Sequence, residues 1–275
     1  MRKWKPYANP RDKEAWYSVT NMYPTPYGTY RAMCGFMSDI GAMSLTSPGT
    51  GVWAVDVGGE GILGTTTKLW VGSSGAGGLV DRSHTTYSAS TWSFAKVGSR
   101  QLAANGSGHK ILQRDSGGVA AFAEIAAAPK ARFVVVQSNV VMALGTDAST
   151  PGADFATSDI GDYTNWTTGE AVTSTEVMHR PGGWVTACAF KDYVLAFKAS
   201  SVYRLRYVGG SVKWQVELIA DGIGAGETQA LVSTGEQVYF WDFSGPMVFD
   251  GVQFRPLLPN TPNDPADRRG MFYPP

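Results

Sequence analysis

From Trp184 to Tyr207 the chain reads WVTACAFKDYVLAFKASSVYRLRY, and much of it alternates between apolar and polar positions. Val185, Ala187 and Ala189 flank Thr186 and Cys188, and a Lys191-Asp192 turn leads into the apolar run Val194 to Phe197. Lys198 to Ser201 turns again, and Val202 to Tyr207 interleaves apolar with basic residues. Successive strand side chains point to opposite faces, so a period of two means strand; a helix needs apolar residues at i, i+3 and i+4 over ten or more positions. The stretch predicts three short antiparallel strands joined by polar turns.

Variants of this unit recur. Trp53 to Val57, Gly61 to Gly64 and Lys68 to Val71 form the first, and Ser93 to Val97, Gln101 to Ala104 and His109 to Leu112 the second. Arg132 to Val136 with Val140 to Leu144 makes the third, and Ala230 to Val232, Gln237 to Trp241 and Pro246 to Asp250 the fifth. Third strands counted from Lys68, Lys110, Val141, Val202 and Met247 give steps of 42, 31, 61 and 45 residues, the longest assigned to an insertion at about 145–175. Four-stranded propeller blades repeat at roughly 40–50 residues. The mutual likeness of the units favours a propeller over a pair of immunoglobulin-like sandwiches. The expectation is an all-β chain: a β-propeller over 51–255 with about five blades (four to six fit the count), an N-terminal arm and ribbon at 1–50, and a proline-rich C-terminal arm at 256–275.

Composition agrees with short strands and turns, with 33 glycines, 12% aromatic and 17% charged residues. Lys+Arg and Asp+Glu balance at 23 each, which gives no global attraction to nucleic acid or membrane. No apolar run reaches the ~18 residues of a membrane span, and the opening MRKWKPYANP lacks the apolar core of a secretory signal. Cys34 and Cys188 suit reduced, buried thiols. Trp184, Phe190, Val194, Phe197, Tyr239 and Trp241 are expected to be buried between blades.

The search for chemistry ends in expected absences. His84, His109 and His179 form no HExxH or paired-ligand spacing, there is no Gly-x-Ser-x-Gly, and Gly106 to Lys110 reads as a hairpin turn rather than a phosphate loop. Asp56, Asp115, Asp159, Asp192, Asp221, Glu227 and Asp242 could supply a carboxylate pair for glycan cleavage or could cap turns. Asp159-x-Gly161 followed by Trp166 is similar to the Asp box of sialidase propellers, and predicts a blade-edge turn locked by aspartate hydrogen bonds with an inward Trp. No catalytic, cofactor-binding or metal-binding residue is assigned, and the chain is read as no enzyme. The alternative is a carbohydrate-binding or glycan-cleaving propeller.

The segment FATSDIGDYTNW at 155–166, then Gly182-Gly183-Trp184 and the run from Ala189 to Tyr203 that contains Phe197-Lys198-Ala199-Ser200-Ser201-Val202-Tyr203, resembles the β-propeller tail hub (nozzle) proteins of short-tailed bacteriophages. Asn21-Met22-Tyr23-Pro24 with Gly28 and Arg31 is similar to their N-terminal segment. The resemblance is good over 154–207 and loose over 15–255. It implies a structural virion protein, made in the host cytoplasm and placed in the tail or neck. It would be a subunit of a ring, sixfold by analogy, that joins the portal side to the tail, contacts other neck, tail or portal proteins, and surrounds the channel of genome ejection. DNA would pass through without specific binding, and no membrane would be engaged. The arms would carry the partner contacts, through Arg2, Lys3 and Trp4 at one end and Arg268, Arg269, Phe272 and Tyr273 at the other.

Overall fold

A computed structural model describes residues 60–72, 79–89, 91–106, 108–146, 152–173 and 180–257, and the backbone of strands at 3–4, 15–16, 22–24, 30–32, 49–54, 73 and 174–176. Near the N-terminus, β1 (Lys3–Trp4) pairs in parallel with β2 (Ala15–Trp16), and β3 (Met22–Pro24) pairs antiparallel with β4 (Tyr30–Ala32).

The other strands fall into four-stranded antiparallel meanders, five of them among the described residues. Sheet 1 holds β5 (Gly49–Ala54), β6 (Glu60–Thr65), β7 (Leu69–Ser73) and β8 (Val80–Asp81). Sheet 2 holds β9 (Ser93–Val97), β10 (Arg100–Ala104), β11 (Leu112–Asp115) and β12 (Ala123–Glu124). Sheet 3 holds β13 (Phe133–Gln137), β14 (Val140–Leu144), β15 (Asp154–Thr157) and β16 (Val172–Glu176). Sheet 4 holds β17 (Thr186–Phe190), β18 (Tyr193–Phe197), β19 (Ser201–Gly209) and β20 (Lys213–Asp221). Sheet 5 holds β21 (Leu231–Ser233), β22 (Val238–Asp242), β23 (Gly245–Phe249) and β24 (Phe254–Pro256).

First strands of neighbouring sheets touch, β9 with β13, β13 with β17 and β17 with β21. Sheets 2, 3 and 4 therefore each present one face to the sheet before and the other to the sheet after. On β13, Val134 packs towards sheet 2 while Phe133 and Val135 pack towards sheet 4. On β18, Val194 and Ala196 face sheet 3, and Tyr193, Leu195 and Phe197 face sheet 5. Double burial explains why these strands read as continuous apolar runs rather than as alternations. Radially repeated meanders with adjacent first strands are the architecture of a β-propeller, and that is the fold.

Three sequence assignments need correction. The segment 145–175 is no insertion, because Asp154–Thr157 and Val172–Glu176 are the third and fourth strands of sheet 3. Val141 belongs to the second strand. Third strands begin at 69, 112, 154, 201 and 245, so the true steps are 43, 42, 47 and 44 residues. The uneven spacing came from comparing a second strand with third strands. His109 and Lys110 also precede β11 rather than lie in it, although Lys110 makes one bridge to Lys130.

Of the side chains expected in the core, Trp184, Phe190, Val194 and Phe197 are buried to 1% exposure or less. Tyr239 and Trp241 are only half-buried. They lie on β22 of sheet 5 and line an apolar groove of about 380 Å³ together with Leu231, Pro246 and Leu257. The Cys188 thiol is free and half-buried, and desolvation pushes its pKa up to about 12, so it stays protonated. Cys34 lies outside the described residues.

Candidate functional site

The segment that carries the tail-hub resemblance builds a tie between sheets 3 and 4. Between β15 and β16 the chain turns on Asp159. Its carboxylate accepts the backbone N–H of Ile160 (2.8 Å) and of Glu170 (2.9 Å) and the Asn165 amide (3.3 Å). Asp162 closes a smaller turn on Thr164, and these hydrogen bonds hold its carboxyl below the usual aspartate range. Gly169 has φ +65°, and a Cβ there would come within 2.4 Å of the Asp159 carboxylate, so the turn requires glycine. Trp166 is buried, and its indole N–H donates to the Tyr163 carbonyl at 2.9 Å. The aspartate-locked turn with an inward Trp is present as the residues suggest.

Sheet 4 grips this turn from the other side. Lys213 donates to the carbonyls of Gly169 (2.7 Å) and Ala171 (2.9 Å), and the Tyr207 hydroxyl donates to Glu170 at 3.0 Å. Trp184, in the connection into β17, donates its indole N–H to the Asp154 carbonyl at 2.9 Å and meets Tyr203 edge-on at 5.4 Å. The buried Lys198 places its ammonium over both rings, at 5.3 and 5.4 Å, and donates to the Arg180 carbonyl at 2.6 Å. A cation over desolvated rings is attracted to their negative faces.

Among the described residues, the acidic candidates other than Glu227 sit in separate ion pairs and turns. Asp115 pairs with Arg100, Asp192 with Arg206 and Asp221 with Arg180, on sheets 2 and 4. Asp242 accepts the N–H groups of Gly224 (3.0 Å) and Ser244 (2.9 Å), so it holds a hairpin of sheet 5. Glu227 is exposed, and Asp56 lies outside the described residues. The partner residues expected in the arms (Arg2, Lys3, Trp4, Arg268, Arg269, Phe272 and Tyr273) also lie outside them, apart from the backbone of Lys3 and Trp4 in β1.

One constellation with no signature in local spacing does form. His84 lies in the connection from β8 to β9, His109 in the loop from β10 to β11, and Glu124 ends β12, where register sets it opposite Leu112. Glu124 Oε1 stands 3.0 Å from His109 Nδ1 and 3.9 Å from His84 Nε2. One nitrogen from each imidazole and a Glu124 oxygen all lie within 4.8 Å of one another.

The supports of this cluster are well defined. The His84 connection is strapped to the β6–β7 turn by Tyr87 N–H to the Thr67 carbonyl and Ala89 N–H to the Thr66 carbonyl, both 2.9 Å. Tyr87 is buried, packs edge-on against Trp92 (5.0 Å) and His109 (5.3 Å), and places its hydroxyl 2.9 Å from His84 Nδ1. Trp92 in turn fills the space above Gly64, where a Cβ would come within 2.3 Å of the indole. Burial lowers the His84 pKa, the Glu124 charge opposes this, and nearby His109 lowers it further, so the imidazole is neutral at neutral pH with a lone pair to offer. Burial pushes the Tyr87 phenol up to about 12, so it remains a hydrogen-bonding hydroxyl.

No protein-family model matches this chain, and no curated protein matches it. Solved propellers do. A YCF48 structure with a bound D1 peptide aligns at TM-score 0.50 and 11% identity, over 77% of this chain and 65% of its own. A catalytically inactive virginiamycin B lyase from Staphylococcus aureus with quinupristin aligns at 0.54 and 10%, over 85% and 75%. The WD40 domain of Neurospora crassa Pan2 aligns at 0.50 and 11%, over 75% and 62%. This chain thus spans about two thirds of the YCF48 structure, and similarity at such identities establishes the fold alone.

Proposed function

We propose that this chain is a structural virion protein, a ring-forming β-propeller subunit that joins the portal side of a short-tailed phage to its tail around the DNA exit channel. The observation that carries the reading is the placement of the residues behind the tail-hub resemblance. Asp159 and Asn165 lock the β15–β16 turn that sheet 4 grips, Trp184, Lys198 and Tyr203 pack together where sheet 4 meets sheet 3, and Trp166 packs sheet 3 against sheet 2. Motif residues spent on fixing one blade against the next are what a mechanical component needs. The carboxylates of Asp115, Asp192, Asp221 and Asp242 are likewise engaged in separate pairs and turns.

The charge balance of 23 against 23 suits a conduit, since each phosphate neutralised by Lys or Arg would add salt-dependent grip on passing DNA. Negative-stain microscopy of the purified full chain, alone and with a phage portal ring, tests the proposal. Closed cyclic rings, or decoration of one end of the portal, are expected. A monomer that neither closes into rings nor binds the portal overturns the reading, as does tight, sequence-selective duplex binding in a filter assay at about 150 mM salt.

A further inference from the structure

The geometry points to a divalent metal site on His84, His109 and Glu124, at the junction of sheets 1 and 2, taking Zn²⁺ on three protein ligands with a fourth position open to water. This goes beyond the structural role above and does not depend on it.

Donor chemistry comes first. Two imidazole nitrogens and one carboxylate oxygen are a borderline-soft set that suits Zn²⁺, and three protein ligands with an open position is the arrangement of accessible rather than closed zinc sites. Size comes second. Zinc bonds of about 2.0–2.1 Å set tetrahedral ligand–ligand edges near 3.3 Å. The two edges at Glu124, 3.0 and 3.9 Å, lie on either side of that value. All three donor atoms are within 4.8 Å, so a small swing of the exposed His84 ring closes the triangle.

Orientation comes third. Metal-bound histidines usually hydrogen-bond through the other ring nitrogen, which fixes ring and tautomer. His84 already has this arrangement, with Nδ1 against the Tyr87 hydroxyl at 2.9 Å and Nε2 facing Glu124. The edge-on contacts of Tyr87 with His109 and Trp92 hold the hydroxyl in place. Tyr87 is thus a positioning residue, while the other three are ligands. The ligands come from the β8–β9 connection, the β10–β11 loop and the end of β12, so an ion would pin the connection between two sheets onto the second of them.

The test uses the full chain, stripped with a chelator and titrated with Zn²⁺ alone in competition with a chromophoric chelator. Co²⁺ serves as a second probe through its visible absorption. One Zn²⁺ per chain is expected, with a Co²⁺ spectrum that includes nitrogen ligation. Tyr87→Phe keeps the packing and removes the hydroxyl, and should weaken binding roughly ten- to a hundredfold. His84→Ala and His109→Ala should weaken it more. Should either alanine variant fail to fold, His109→Gln retains shape and a donor to Glu124 without a zinc-binding nitrogen, and should show the same loss. The site is overturned if wild type takes up no Zn²⁺, or if His109→Gln binds as tightly as wild type. It is also overturned if half an equivalent binds per chain and pairs two copies.

Discussion

Between sheets 1 and 2, Glu60 of β6 meets Arg114 of β11 in the interior, while the interior between sheets 4 and 5 is filled by Phe197 against Phe240 and Phe190 against Phe249. Glu60 accepts from Arg114 at 2.9 and 3.2 Å, from Gln101 at 3.0 Å and from the Gly117 N–H at 2.9 Å. Every N–H of the Arg114 guanidinium has an acceptor: two Glu60 oxygens, Gln101 Oε1, and the carbonyls of Ala120 and Gly118. One junction is held by a saturated polar network with fixed directions, the other by ring packing that depends on volume. Removal of one partner should be costly at both, but only the first should respond to pH and to charge.

The largest effects separate the two directly. Arg114→Ala strands a buried carboxylate and should cost roughly 3–5 kcal/mol, and Phe197→Ala leaves a cavity worth a similar ~3–5 kcal/mol. Chemical denaturation at several pH values tells them apart. Burial raises the Glu60 pKa, but Arg114, Gly117 and Gln101 outweigh this, and the folded-state value lies below the ordinary 4.5. The contribution of Glu60 is therefore complete above that ordinary value and lost as pH falls through the lower folded one. Wild type and Phe197→Ala should share this acid-side decline, while Arg114→Ala should lose it. Parallel declines in all three would place the network outside the stability-determining core.

The small end of the comparison is Arg204 with Glu217, opposite one another on β19 and β20 but about a third to a half exposed. Arg204→Ala should cost under about 1 kcal/mol, because exposed pairs gain little in water. A loss of several kcal/mol in the same melts would mean that the outer strands of sheet 4 are as stability-determining as its interior.

How much of this was legible in the sequence follows from what each strand buries. β14 and β18 are buried at every position and announce themselves as apolar runs. β12 is Ala-Glu and β24 is Phe-Arg-Pro, outer strands with no pattern to read. β15 is Asp-Phe-Ala-Thr, wholly buried yet only half apolar, because Asp154 and Thr157 make hydrogen bonds with Thr146 and Val172. That strand was missed, and with it the even step. The aspartate-locked turn was legible since its partners lie within eleven residues of Asp159. The His84, His109 and Glu124 cluster was not, because sheet register and an inter-sheet connection bring the three together and no local spacing records it. Arg114 and Glu60, 54 residues apart, were silent for the same reason.

The even spacing of third strands, 42 to 47 residues, also has a mechanical meaning. Each sheet is one uninterrupted length of chain. Tension along the backbone can therefore release a sheet without threading it past another, and each release frees at most about 140–170 Å of extended chain. In a force–extension trace the molecule would lengthen in near-equal increments, yielding by graded give instead of one abrupt rupture.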